Sequence, residues 1–376
     1  MKTLALKTLL HDWRRYAPAV VAVAFSGLLV LLQGAVILGI FSLSSLYVTR
    51  SSADLWVGFP GVQSIDLGRP IAAQAEMFIW MNPHVKRVEP FLWGSGQWRT
   101  ERRGMVNVYI VGVDAADDAM ALDDVLTPGL RARLRAPGAV LVDAGDIGKL
   151  GLQVGDTAEI NGQRVRVVGA TRGLRALGGV NVIASLATTR ELDPMAGPGG
   201  DVAYFIARTD DPKAAPAVAA DLNRTGRARG FEAMTDDRFA ARTTRYWLVE
   251  SGAGAAFVFG SITAVLVALV ITSQTLAAAV AASLKEFAAL RALGFSMGAL
   301  RGIVVAQAAW VGVAGVALAG VLTVALVAAA RSQGVPVVLS GGMMSATGAL
   351  VVVVALVSGA FALRRVATAD PATLLL

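Results

Sequence analysis

LKEFAALRALGFSMGALR, residues 284–301, separates two long apolar runs, Gly252–Ala282 and Ile303–Ala330. Leu284, Phe287, Ala288, Leu290 and Leu293 fall at helical spacing on one side, with Lys285, Glu286 and Arg291 elsewhere on the surface. Gly294 ends this segment in the way a helix C-terminus requires. A second short helical piece is expected over Ser296–Arg301, with Ser296 as its N-cap. The stretch reads as a charged elbow joining two membrane-length helices and facing the cytosol. Two readings fit such an elbow: a grip for a soluble partner, or a solvated loop whose basic residues anchor it on the inner side.

Composition fixes the class around it. Of 376 residues 55% are hydrophobic and 16% charged, and the mean hydropathy is +0.60. That is too apolar for an ordinary soluble protein and marks a membrane protein with a substantial polar part. A pI near 10.0 could suggest nucleic acid, but the distribution of charge argues against it. Between Ser51 and Arg245 basic and acidic residues are equal in number, so the net +7 belongs to the apolar segments and their flanks. Lys2, Lys7, Arg14, Arg15, Lys285, Arg291, Arg301, Arg364 and Arg365 stand at the ends of apolar runs. This is the positive-inside pattern rather than a nucleic-acid stripe. With no cysteine and only His11 and His84, thiolate metal sites, Cys nucleophiles and a Ser-His-Asp set find no support. GDIGKLG at Gly145–Gly151 has the wrong spacing for a phosphate-binding GxxxxGK[ST] loop.

In chain order, residues 1–16 form a basic, aromatic cytosolic segment and 17–49 the first transmembrane helix. Its charge-free run of roughly 30 residues spans ~45 Å, more than the ~30 Å of hydrocarbon, so it should continue past the outer surface. A signal peptide would have a shorter apolar core. Ser26, Gln33, Gly27 and Gly34 recur at a seven-residue step and mark a face that meets protein. Residues 50–245 form an α+β domain with its own core. Strands are expected at Val106–Val113, Ala139–Val142, Ala158–Asn161, Arg164–Val168, Asn181–Ala184 and Val202–Ala207. Asn161-Gly162 is the signal of a type I′ hairpin turn. Asp211–Arg224 reads as a helix, and the domain could divide near Arg172–Gly179. The Asp pairs at 117–118, 123–124, 210–211 and 236–237 read as solvated helix starts and support no catalytic assignment. Phe239–Glu250 should lead as a helix into the second span, 246–283. There Gly252, Ala256, Gly260 and Ala264 repeat at every fourth position, as in a close helix–helix contact, either within the chain or across a homodimer seam. The elbow occupies 284–302, the third span 303–330 carries a Gly312, Gly315, Ala319 face, an outer loop covers 331–342, the fourth span is 343–363, and a cytosolic tail follows at 364–376. The expected fold is thus an integral membrane protein of four transmembrane helices with a large α+β extracytoplasmic domain between helices 1 and 2.

This order resembles the permeases of the FtsX/MacB type of ABC transporter. KEFAALRALGFSMGALR is similar to that family's cytosolic signature, with Glu286, Leu290, Arg291, Ala292, Leu293, Gly294 and Arg301 in the matching places. VLVDAGDIGKLGLQVGDTAEINGQRVRVVG (Val140–Gly169) resembles a stretch of its outer domain, and RRVATADPATLLL its basic tail with Asp370-Pro371. ADLWVGFPGVQSIDLGRP (Ala53–Pro70) is most similar to the DevC-like branch, in which a separate ATPase and a membrane-fusion adaptor accompany the permease. The resemblance implies an FtsX-like membrane domain over 252–370, a non-catalytic subunit, a homodimer, and two copies of a cytosolic ATPase that alone uses ATP and Mg. It implies that the ATPase grips the elbow through Glu286, Arg291, Gly294, Phe295, Met297, Leu300 and Arg301, and that long first and second helices act as levers on the outer domain. Relatives that control a cell-wall hydrolase or a sensor kinase leave a signalling role as the alternative to export.

Overall fold

Charge-free apolar runs become long helices, and the polar segment between the first two becomes a sheet domain. The computed structural model describes residues 13–100, 104–176, 178–282, 296–332 and 335–367. Helix α1 (Trp13–Ser42) is followed by a single turn, α2 (Leu46–Thr49). Helices α3 (Pro128–Leu134), α4 (Ala215–Gly226) and α5 (Asp236–Arg245) belong to the long segment that follows. Then come α6 (Gly252–Ala282), α7 (Met297–Ser332) and α8 (Gly341–Ala367). Four stretches are long and apolar enough to cross a membrane: Tyr16–Ser42, Gly254–Thr275, Gly302–Ser332 and Gly341–Ser358. The chain forms two compact units, Met1–Gly39 with Ala255–Leu376, and Ile40–Gly254.

In the first unit small residues let helices touch. A Cβ built on Gly27 would lie 3.1 Å from Ala319 Cβ, and one on Gly312 would lie 3.2 Å from Ala355 Cβ. One on Gly315 would overlap Val23, and one on Gly34 would lie 2.7 Å from Met343 Sδ. Tyr16, Ala19, Val23, Val311 and Val351 are buried together. The Ser26–Gly27–Gln33–Gly34 face of α1 therefore packs on protein, as its sequence pattern suggests, with Ser26 buried. The α7 face of Gly312, Gly315 and Ala319 is likewise occupied by α1 and α8. Along α6 large apolar residues stay exposed, including Phe259 at 72%.

The second unit holds nine strands: β1 (Leu55–Gly58), β2 (Val85–Thr100), β3 (Gly104–Val113), β4 (Ala139–Asp143), β5 (Thr157–Ile160), β6 (Gln163–Thr171), β7 (Val180–Ser185), β8 (Tyr204–Thr209) and β9 (Glu232–Thr235). The order is β3-β7-β4-β6-β5-β2-β8-β1-β9, and β2 also pairs with β3. That extra pairing closes β2, β3, β7, β4, β6 and β5 into a ring around Trp98, Ile110, Val140, Val167 and Val182. Strand β2 is long enough to serve twice. Its first half pairs with β8 and its second half with β3. The other lobe is the antiparallel set β2-β8-β1-β9, on which α4 packs through Ala215, Val218, Ala219 and Leu222. The β3–β7 and β4–β6 pairs are parallel, so the domain is a mixed α/β unit.

The unit does not divide near 172–179. That stretch lies between β6 and β7 of the ring, where Leu174 N–H donates to Asp143 at 2.9 Å. Two continuous helices expected from the apolar pattern are also broken. Helix α1 stops at Ser42, where Ser44 Oγ donates to the Phe41 carbonyl (2.6 Å), and α2 is a separate turn. Helix α5 ends at Arg245, a π-helical turn spans Tyr246–Glu250, and Ser251 is extended with φ −79° and ψ 146°. Ser251 Oγ then accepts from Gly254 N (3.2 Å), so α6 starts afresh on a serine cap. Each break falls at serine, whose hydroxyl competes for the backbone groups a helix needs.

Candidate functional site

The chain enters and leaves the second unit through one cluster of aromatic side chains. Tyr47 comes from α2, Trp93 from β2, Tyr109 from β3, and Trp247 from the π-helical turn. Trp93 stacks on Tyr109 with centroids 5.3 Å apart and meets the Tyr47 ring edge-on at 4.9 Å. The Tyr47 hydroxyl donates to Asn181 Oδ1, and Asn181 Nδ2 donates to the Leu174 carbonyl at 2.6 Å. Burial pushes the Tyr47 phenol well above its ordinary value, against the pull of the Asn181 bond and helped by the charge of Asp66. Trp247 Nε1 donates to Ser64 Oγ at 3.0 Å and to Asp66 Oδ1 at 3.3 Å. Ser64 Oγ also donates to Asp66. With Leu43, Ser44 and Ala176 these side chains line a narrow cleft of about 20 Å³, room for about one water molecule.

A second, polar cleft of about 340 Å³ is lined by Gly61, Gln63, Arg227, Glu232, Arg242, Arg245 and Glu250. Glu232 is buried and accepts from Gly61 N (2.8 Å) and Arg227 Nη2 (3.0 Å), with Arg242 at 3.6 Å. Burial works to raise its carboxyl, but the Gly61 N–H and the two guanidiniums outweigh it and hold the carboxyl below its ordinary value. Arg242 also donates to the Val62 carbonyl at 3.2 Å.

A third cluster fixes the loop between β3 and α3. Arg131 is 1% exposed and spends its donors on main-chain carbonyls: Leu126 (3.2 Å), Asp114 (2.9 Å), Ala119 (3.0 Å) and Ala121 (2.7 Å). Glu89 accepts from Met120 N (2.8 Å) and pairs with Arg87. Ser52 N donates to the Met120 carbonyl (3.1 Å) and Leu122 N to Ser51 Oγ (3.0 Å), so this loop is tied to the segment just after α2.

Of the residues singled out in the elbow, Glu286, Arg291, Gly294 and Phe295 lie outside the described residues. Met297, Leu300 and Arg301 sit at the start of α7. The separate short helix expected at Ser296–Arg301 is instead the first part of α7, with Ser296 just before it. In the four-residue stripe Gly252 and Ala256 are exposed, and Gly260 and Ala264 half-buried. A Cβ on Gly252 would meet nothing within 4 Å, whereas one on Gly260 would lie 3.4 Å from Gln33 Nε2. The Asp pairs are engaged as caps and surface ion pairs: Asp117 with Arg135, Asp118 with Arg87, Asp124 with Arg50 and Asp210 with His84. Asp211 caps Lys213 N at 3.0 Å, and Asp236 and Asp237 open α5. The aromatic cluster escaped sequence reasoning because its members come from four separate segments and share no local spacing.

One membrane-length helix, a large α/β unit and three more such helices define a membrane protein with an extracytoplasmic type of insertion. The comparisons give the family. Residues 18–225 match the MacB-like periplasmic core domain and residues 258–371 the FtsX-like permease C-terminal domain. The chain belongs to the FtsX/MacB family of ABC transporter permeases. No curated protein matches it. The periplasmic region of MacB from Actinobacillus actinomycetemcomitans is 13% identical with a TM-score of 0.34, covering 51% of this chain and 92% of that one. The extracellular domain of the noncanonic ABC-type transporter YknZ from Gram-positive bacteria is 12% identical with a TM-score of 0.33, covering 49% and 100%.

Proposed function

We propose that the chain is the permease subunit of an ABC transporter that couples ATP hydrolysis on a separate cytosolic ATPase to export. Two such ATPases, using ATP and Mg, would serve a homodimer of this chain, with a membrane-fusion adaptor on the outer side. Both termini and the 284–302 elbow lie inside and residues 50–245 outside, by the placement of the basic residues. The observation that carries this reading is the order of parts: two family domains, 18–225 and 258–371, together cover most of the chain. Exposed Gly252 and Ala256 support a second copy docking at that end of the α6 stripe, while Gly260 lies beside Gln33 of the same chain. The elbow is the contact with the ATPase. Glu286 and Arg291 supply exposed ion pairs worth about 0–1 kcal/mol each. Phe295, Met297 and Leu300 supply apolar anchors, of which a buried one is worth about 2 kcal/mol or more.

The test is co-purification of the ATPase with variants of this chain, together with stimulated ATP hydrolysis. Phe295→Ala is expected to reduce ATPase binding more than Arg301→Ala. Gly294→Val is expected to uncouple hydrolysis, because a helix-ending turn with φ > 0 at this position would be strained by any side chain. Full binding and full coupling in both Phe295→Ala and Gly294→Val would remove the elbow from the mechanism.

A further inference from the structure

The polar cleft around Glu232 is lined by three guanidiniums and two carboxylates, and only one of those carboxylates is engaged closely. Buried Glu232 is the frame. It accepts from Gly61 N at 2.8 Å and from Arg227 Nη2 at 3.0 Å, and Arg242 Nη1 stands 3.6 Å from its Oε2. Arg242 is held a second time by the Val62 carbonyl at 3.2 Å. A guanidinium carries five N–H donors, so these bonds leave most of the donors of Arg227 and Arg242 over. Donors already held in place cost less to order around a ligand. Arg245 is the least engaged of the three: it meets Glu250 at 4.0 Å, outside hydrogen-bond distance.

The lining therefore carries one positive charge in excess, beside about 340 Å³ of open space. That volume lies within the range of small-molecule sites, about 300–1,000 Å³. A cationic ligand meets the excess charge and is disfavoured. A neutral apolar ligand takes the guanidiniums out of water and gives them no partner. An anion satisfies both conditions. Arg227 follows α4, whereas Arg242 and Arg245 stand on α5, so the donors come from two elements. Such a set suits the several oxygens of a phosphate, the group that arginine recognises by paired N–H bonds.

The place of the cleft in the chain says what could carry the phosphate. Glu250, on its wall, is four residues before Gly254, where the membrane-length stretch of α6 begins. Four residues reach at most about 14 Å, which keeps this wall close to the headgroup layer. Tyr246 and Trp247 fall between Arg245 and Glu250, and tyrosine and tryptophan favour that layer. Val249 of the same turn is 64% exposed. We propose that the Arg227–Arg242–Arg245 cleft binds a phosphate group, carried by the headgroup of an anionic phospholipid. The inference rests on the membrane span and not on the ATPase, so it goes beyond the permease reading.

The test is hydrogen exchange over residues 227–232 and 242–250 of the full chain in dodecyl maltoside, a detergent without phosphate. Mixed micelles containing dioleoylphosphatidylglycerol are compared with mixed micelles containing dioleoylglycerol, which has the same acyl body and no phosphate. Free glycerol phosphate, added to the pure detergent sample, is the soluble arm. The phospholipid is expected to slow exchange saturably in both segments, and dioleoylglycerol to leave it unchanged. Arg245→Gln should raise the phospholipid fraction needed about fivefold or more. Arg224→Gln removes an exposed charge outside the cleft and should raise it less than about twofold. Protection by glycerol phosphate without protection by the phospholipid supports the phosphate site and overturns the lipid as its source. No protection by either, equal protection by dioleoylglycerol, or equal shifts in the two variants overturns the proposal. The comparison of the two lipids is read on the parent protein, so it decides the matter even if a variant misfolds. Failure here leaves the ATPase co-purification result untouched, and the reverse holds.

Discussion

Arg131→Met should loosen the outer unit by an amount the structure allows to be worked out. The guanidinium makes four hydrogen bonds to the carbonyls of Leu126, Asp114, Ala119 and Ala121, at 2.7–3.2 Å. Methionine keeps much of the aliphatic stem and supplies no donor. The charge is expensive to bury, and burial lowers its pKa from the ordinary value with the Glu89 charge opposing. An apolar substitute therefore recovers some desolvation energy. The carbonyls remain, however, and nothing else on the substituted side chain satisfies them. At about 1–1.5 kcal/mol per lost bond, less the recovered desolvation, the loss comes to about 3–5 kcal/mol. The loop also holds Leu122 at φ 55°, a costly conformation for a non-glycine residue, and will leave it once released. With a urea slope of about 2–3 kcal/mol per molar, the midpoint should fall by about 1–2.5 M. The assay is pulse proteolysis of the full chain in detergent across a urea series, following the outer fragment. Arg131→Lys should give an intermediate loss, because an ammonium keeps the charge but not the planar fork. If Arg131→Met unfolds within about 0.3 M of the parent, the carbonyls find other partners and the staple is incidental.

A cysteine at Ser296 should resist an impermeant thiol reagent applied to intact cells, because the elbow is read as cytosolic and the chain has no native cysteine to confuse the signal. Labelling from outside would reverse the topology. Gly315→Val should cost about 1–3 kcal/mol of overpacking, since any Cβ there overlaps Val23, and should lower the melting temperature in detergent, whereas Gly302→Ala, with open space around it, should not. Glu232 is depressed in the folded state, so its contribution to stability is complete above the unfolded carboxylate value and is lost as pH falls through the folded one. Unfolding midpoints of the parent should therefore drop below about pH 4.5, and Glu232→Gln should be less stable at neutral pH with a shallower acid slope.

How much of this was legible depended on how local the signal was. The four membrane stretches announce themselves by hydropathy, and Asn161-Gly162 by the need for two positive φ angles, observed at 51° and 83°. Strand β2 was not legible, although it organises both lobes. Pro90, Gly94 and Gly96 contradict strand propensity along it. The reason appears only in three dimensions: a Cβ at Gly94 would stand 2.6 Å from Asp193 Oδ2, so glycine is there for a close approach. Short β1 carries no alternation because all four of its residues are buried. The aromatic cleft was invisible for a different reason. Trp247 and the Ser64 it bonds are 183 positions apart, and no window of sequence contains both.

Both chain connections of the sheet unit carry a break in the helical backbone ladder, after Ser42 on one and at extended Ser251 on the other. Backbone turns and side-chain bonds both cross each interruption: Ser44 N donates to the Phe41 carbonyl at 3.1 Å and Ser251 N to the Tyr246 carbonyl at 2.8 Å. Thr244 Oγ1 donates to Ser45 Oγ at 3.4 Å, which ties the incoming segment to α5. Ser251 Oγ donates to the Trp247 carbonyl at 2.5 Å, and Trp247 in turn holds Ser64 and Asp66. Ser251 is thus bonded to the sheet unit through Trp247, and Ser45 is bonded to α5 two residues before Tyr47. Both of those aromatic residues line the same cleft.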